Sequence, residues 1–158
     1  YFDPETNESY TPYDIETSIG VDRMVLSVLC HSYQEEKLEG GETRVVLKFP
    51  PALAPVKLSV MPLVRKDGMP EKAREIVNDL KFHFNTHYDE KDSIGKRYRR
   101  QDAIGTPYCV TVDYDTLKDN TVTLRFRDTM EQKRVKINEL QSIIEDSVSI
   151  TSLLKKLV

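Results

Sequence analysis

The sequence is poor in the groups that most often build metal centres and covalent nucleophiles. It holds two cysteines, Cys30 and Cys109, and three histidines, His31, His83 and His87. No CxxC pair or Cys/His cluster occurs, so no zinc-site spacing is present and no metal ligand is assigned. Both cysteines stand among apolar residues and read as reduced core thiols. The histidines are scattered, and none has a neighbouring Ser or Cys in a nucleophile–base arrangement. No apolar run approaches the roughly 18 residues of a membrane span, and no secretory leader is recognisable. No GxGxxG or Gly-Lys-Ser/Thr loop supports a small nucleotide-binding or flavodoxin-like domain. Excess positive charge is also missing. A net charge of −3 argues against nonspecific coating of nucleic acid, although it leaves room for a local basic site.

What remains is enough for one good core. Of 158 residues, 39% are hydrophobic and 31% charged, which suits a soluble globular domain with a small appendage. Residues 1–14 are polar, rich in Tyr, Thr and Pro, and read as a loop entering a strand. Val21, Met24, Val25, Val28 and Leu29 recur at helical spacing and predict a helix from Val21 to about Tyr33. Residues 34–43 are charged and contain Gly40-Gly41, a plausible hinge. Arg44–Phe49 is β-rich, and Pro50, Pro51 and Pro55 then break regular structure. We therefore expect two parts, 1–43 and 44–158.

In the second part, residues 57–64 read as a buried parallel strand with Pro62 near its end. Pro70–Phe84 is an amphipathic helix with stripe Ala73, Ile76, Val77, Leu80 and Phe84. A weak strand follows at 86–90. A helix is expected from Ser93, its candidate N-cap, to about Ile104. Strands are expected at 108–114, 121–126 and 135–137. A last helix capped by Asn138 should reach Ile144 and could extend to Leu157. The alternation of elements predicts an α/β fold with a mixed, mostly parallel sheet flanked by helices.

Three segments carry candidate chemistry. In the first, Glu16 and Ser18 precede Gly20, and Arg23 lies at the start of the expected helix. A carboxylate there can hold a small amine, and the guanidinium can stack on a base or grip a phosphate. A plain strand–turn–helix with surface charges gives the same spacing. The second is Lys96-Arg97-Tyr98-Arg99-Arg100-Gln101-Asp102, where four cations surround one tyrosine. Such a group can bind phosphates, stack a splayed base and accept from a cytosine amine through Asp102. It also describes an ordinary solvated helix face. The third is Arg125-Phe126-Arg127-Asp128 at the end of a strand, where ligands often meet open α/β sheets. There Phe126 could stack on a base, and an ion-paired strand end would look alike.

These pieces together resemble a known family. Glu16-Thr17-Ser18 before Gly20 and Arg23 resembles motif 3 of the class II aminoacyl-tRNA synthetases, and in particular the homodimeric glycyl-tRNA synthetases. Leu53-Ala54-Pro55-Val56-Lys57, Gly68-Met69-Pro70-Glu71-Lys72-Ala73, Ser93–Asp102, Ile104-Gly105-Thr106-Pro107 and Arg127-Asp128-Thr129-Met130 continue the likeness in order, over nearly the whole chain. Motifs 1 and 2 are missing, so the chain looks like the C-terminal part of a larger enzyme. The resemblance implies that residues 1–43 are a strand–helix remnant of the antiparallel catalytic core and 44–158 an anticodon-binding domain. It implies glycine contacts at Glu16 and Ser18 and ATP contacts at Glu16, Gly20 and Arg23. Anticodon contacts are implied at Lys96, Arg97, Arg99, Arg100, Asp102, Arg127 and Asp128. No catalytic residue is assigned. The parent would be a cytoplasmic, homodimeric glycine–tRNA ligase using ATP and Mg2+, and this piece alone would be inactive. Two other readings stay open. One is a non-catalytic synthetase-like protein that binds RNA or DNA. The other is a prolyl, threonyl or histidyl synthetase.

Overall fold

The computed structural model describes residues 1–38 and 40–156. The chain opens with a two-residue ladder, β1 (Phe2–Asp3) against β2 (Glu8–Ser9). Residues 10–20 follow without a ladder partner. Helix α1 (Val21–Ser32) leads directly into β3 (Tyr33–Lys37), which pairs antiparallel with β4 (Thr43–Leu47). This hairpin is not foreseen by the sequence, in which residues 34–43 look like a charged linker. Gly40 and Gly41 serve its turn, with φ of +98° and +84°, values that only glycine adopts cheaply. The hairpin carries the chain across position 43.

A five-stranded sheet forms the centre, in the order β6-β5-β7-β8-β9. Strand β5 (Leu58–Pro62) is buried at every position, as a strand covered on both faces must be. It runs parallel to β6 (Thr86–Tyr88) and to β7 (Tyr108–Val112). Strand β8 (Thr121–Phe126) runs against β7 and against β9 (Gln132–Lys136), which restores β9 to the direction of β7. The sheet is thus mixed, with β8 alone reversed.

Helix α2 (Met69–Leu80) has Pro70 in its first turn and buries Met69, Ala73, Ile76 and Leu80. It shares one apolar core with Leu58 and Val60, Val110 and Val112, Val122 and Leu124, and with Leu140 and Ile144 of α5 (Leu140–Val148). A single turn of α4 (Thr116–Asp119) joins β7 to β8. A 3-10 turn, Ile137–Glu139, precedes α5, so Glu139 rather than Asn138 occupies its N-cap. Helix α5 stops at Val148, and Ser149 caps a short α6 (Ile150–Leu154) by accepting from the Ser152 N–H. Leu157, the far end of the expected last helix, lies outside the described residues.

Helix α3 (Ile94–Ile104) covers the other face of the sheet, with Arg97, Gln101 and Asp102 buried. Ser93 occupies its N-cap position, but its side chain makes no capping bond. Gly105 ends the helix in the left-handed region at φ +82°. A Cβ there would overlap the Phe49 ring and lie 2.9 Å from the Leu47 carbonyl oxygen. Gly105→Ala should therefore lower stability by about 1–3 kcal/mol in urea unfolding, because strained backbone and a clash coincide.

Candidate functional site

The α3 cluster divides by burial. Asp102 is 0% exposed and sits between two guanidinium groups. Its carboxylate accepts from Arg125 Nη1 at 2.8 Å and Nη2 at 3.0 Å, and from Arg44 Nη1 at 3.3 Å. Arg44 also donates to the Arg127 carbonyl at 3.0 Å and to Glu36 at 3.0 Å, and Glu36 pairs with Lys48 at 2.5 Å. Arg97 is equally buried and donates to the backbone carbonyls of Pro62, Lys91 and Asp92. Arg127 donates to the carbonyls of Gly105 at 2.8 Å and Phe49 at 2.7 Å. These three side chains are internal braces. Their reading as contacts to an external base or phosphate is corrected, since freeing any of them would strand buried polar groups.

The remaining cations of the cluster reach solvent. Lys96 is exposed. Arg99 is partly exposed and pairs with Glu42 at 3.2 Å. Arg100 forks onto Asp89 at 2.9 Å and Asp92 at 2.8 Å. Asp128 is exposed while pairing with Arg127 at 2.7 Å. Phe126 packs edge-on to Tyr108, with a centroid separation of 5.7 Å, and both line a cavity of about 230 Å³ with Pro51, Pro107 and Asp128.

The sequence reading missed a polar surface beside α3. Thr111, Asp113, Thr123, Gln132 and Tyr98 line a cavity of about 240 Å³. It lies against the sheet face that α3 covers, and Leu63 and Asp113 at its edge directly follow the carboxyl ends of β5 and β7, where open α/β sheets present ligand crevices. Arg134 reaches Asp113 at 2.5 and 3.0 Å. The alternation Gln132, Arg134, Lys136 along β9 is the signal that could have found it, because those positions share one face.

Burial disfavours ionised Asp113, but hydrogen bonds from Arg134 and Thr116 outweigh it and hold the carboxyl below its ordinary value. Asp89 behaves alike, with burial opposed by the Lys91 N–H and Arg100. A lowered folded pKa gives stability that is full above the unfolded value, near 3.8, and is lost as pH falls toward the folded value.

At the other end of the chain, Glu16, Ser18, Gly20 and Arg23 are all exposed. Gly20 has φ −77°, so no left-handed backbone demands glycine there. The apolar side of α1 is largely uncovered. Ile19, Val21, Met24, Val25 and Leu29 border a groove of about 510 Å³ together with Phe49 and Leu53. Cys30 is exposed on this helix, which corrects its reading as a core thiol. Cys109 is buried, and burial pushes its thiol up to about 12.

Comparison with known proteins follows the same geometry. The family model described as "Anticodon binding domain" matches residues 57–147, the sheet from β5 to most of α5. The chain belongs to the anticodon binding domain family. It is 55% identical to the glycine–tRNA ligase of Clostridium acetobutylicum over 148 residues, which is 94% of this chain and 32% of that protein. It is 52% identical to the glycine–tRNA ligase of Borrelia hermsii, over 94% of this chain and 33% of that protein. The chain thus spans about a third of the length of the curated relatives it matches. The RNA binding domain of threonyl-tRNA synthetase from Cryptosporidium parvum Iowa II superposes with a TM-score of 0.58 at 23% identity. That match covers 63% of this chain and 25% of the other, and places both in one fold.

Two outcomes follow from the buried groups. Asp102→Ala should cost about 3–5 kcal/mol in chemical denaturation, because it leaves Arg44 and Arg125 without their shared carboxylate. At pH 8, iodoacetamide should label Cys30 readily and Cys109 only after unfolding, as counted by intact-protein mass spectrometry.

Proposed function

We propose that this chain is the tRNA-binding part of a glycine–tRNA ligase, with residues 44–158 engaging the anticodon loop. The observation that carries this is identity above one half to glycine–tRNA ligases across nearly all of the chain. Lys96, Arg99, Arg100 and Asp128 are the solvent-facing members of the predicted contact set. The three cations suit phosphate contacts, which position an RNA without reading it.

The parent enzyme would join glycine to its tRNA through a glycyl-adenylate, using ATP, and would be a homodimer in the cytoplasm. Glu16 and Ser18 would touch glycine, and Glu16, Gly20 and Arg23 would touch ATP. Among the described residues no group of three or more His, Cys, Asp or Glu side chains could hold a metal ion. Mg2+ would be required by the longer enzyme together with ATP. Residues 1–43 would belong to the catalytic part, which would cover the apolar side of α1. This is supported by the exposure of Val21, Met24 and Val25. Among the described residues no helix is long and apolar enough to cross a membrane.

Lys96→Ala and Arg99→Ala should weaken binding of glycine tRNA and of an anticodon-swapped tRNA about equally, and reduce the salt dependence. Filter binding at a series of fixed salt concentrations checks this. Equal affinity of the wild-type chain for tRNA and for unrelated RNA would refute the assignment. The chain alone should support no glycine-dependent ATP–pyrophosphate exchange. In the longer enzyme, Arg23→Ala should raise the barrier to that exchange by roughly 3–4 kcal/mol.

A further inference from the structure

The cavity between α3 and the β7–β8–β9 face has a built polar lining that the predicted contact set does not include. One wall is apolar, from Leu63 and Ile94. Another is Tyr98, whose hydroxyl shares a hydrogen bond with Thr111 Oγ1 at 2.6 Å. Tyr98 cannot easily swing away, because the Arg125 guanidinium lies 4.8 Å from its ring centroid. Arg125 is in turn held by Asp102. At about 240 Å³ the space is below the roughly 300–1,000 Å³ of a drug-sized pocket. It suits one flat ring.

The polar groups divide into those already engaged and those free. The Asp113 carboxylate accepts from the Asp115 and Thr116 N–H groups, Thr116 Oγ1, Thr123 Oγ1 and Arg134. It has no remaining capacity, and its role is to fix Arg134. Between Tyr98 and Thr111 one hydroxyl proton serves their mutual bond, which leaves the other to donate. Gln132 is exposed at the rim, and its side-chain amide makes no hydrogen bond among the described residues. An amide offers a donor and an acceptor side by side, the pattern that meets a base edge.

We propose that this cavity receives one unstacked base of the tRNA anticodon loop, with Gln132 reading its edge and Tyr98 serving as a fixed wall. Asp102 is then a positioning residue, acting on the base through Arg125 and Tyr98. The proposal rests on the tRNA reading above and adds the residue that discriminates.

The test uses the 158-residue chain and glycine anticodon stem-loops in which each loop base in turn is replaced by an abasic site. Gln132→Ala and Gln132→Met should each weaken the intact loop by about 5- to 150-fold. At one loop position the abasic RNA should show almost none of that loss, since the partner base is already gone. Gln132 lies exposed on edge strand β9, so the melting temperature should not move. Equal loss on every loop, or no loss, would overturn the assignment of Gln132 while leaving the tRNA reading intact. If the wild-type chain bound no stem-loop, the tRNA reading itself would fall, and this inference with it.

Discussion

A carboxylate with no access to water must be neutralised where it stands, and in this protein that carboxylate is Asp102. Two guanidinium groups reach it from different parts of the chain, Arg125 from β8 and Arg44 from β4. Helix α3, the central sheet and the β3–β4 hairpin therefore cannot shift independently without exposing an unpaired charge to a low-dielectric interior. Desolvation of such a group costs several kcal/mol, so the arrangement sets relative position more than it adds net stability. Arg44 extends the chain of charges outward to Glu36 and Lys48.

The same constraint decides which cations remain for a partner. Arg97, Arg125 and Arg127 are consumed by carbonyls and Asp102, so the face offered to solvent is less basic than the run Lys96–Arg100 suggests. Lys96, Arg99 and Arg100 stay outside, and the latter two are tethered by Glu42, Asp89 and Asp92. Electrostatic attraction to RNA would then be local and modest, in keeping with a net charge of −3. Selectivity would fall to shaped features such as the rigid Tyr98 wall.

Helix α1 shows the opposite condition. Its inner face is apolar, yet Val21, Met24 and Val25 are at least half exposed. An apolar stripe of that kind normally marks an interaction surface. The proposed catalytic part of a longer enzyme accounts for it, and relatives about three times the length of this chain have the residues to supply one.

The amino-acid sequence by itself determined the elements whose hydrophobic period is unambiguous. Met69–Leu80 and Leu58–Pro62 were legible because apolar side chains recur at 3.6-residue spacing in one and run on with only Ser59 between them in the other. The family was legible from ordered motifs between Glu16 and Met130. The hairpin at Tyr33–Leu47 was not, because the alternation of Tyr33-Gln34-Glu35-Glu36-Lys37 is polar on both faces and only pairing with β4 makes it a strand. Nor was the division of the Lys96–Asp102 cluster. Sequence rules place charge in water, whereas the tertiary structure put Arg97 and Asp102 inside, where backbone carbonyls and distant arginines satisfy them. The cavity beside Tyr98 draws on Leu63, Ile94, Thr111 and Gln132, which lie far apart along the chain. Only the packing of α3 across the sheet brings them to one place, since no local spacing encodes a contact between separate strands.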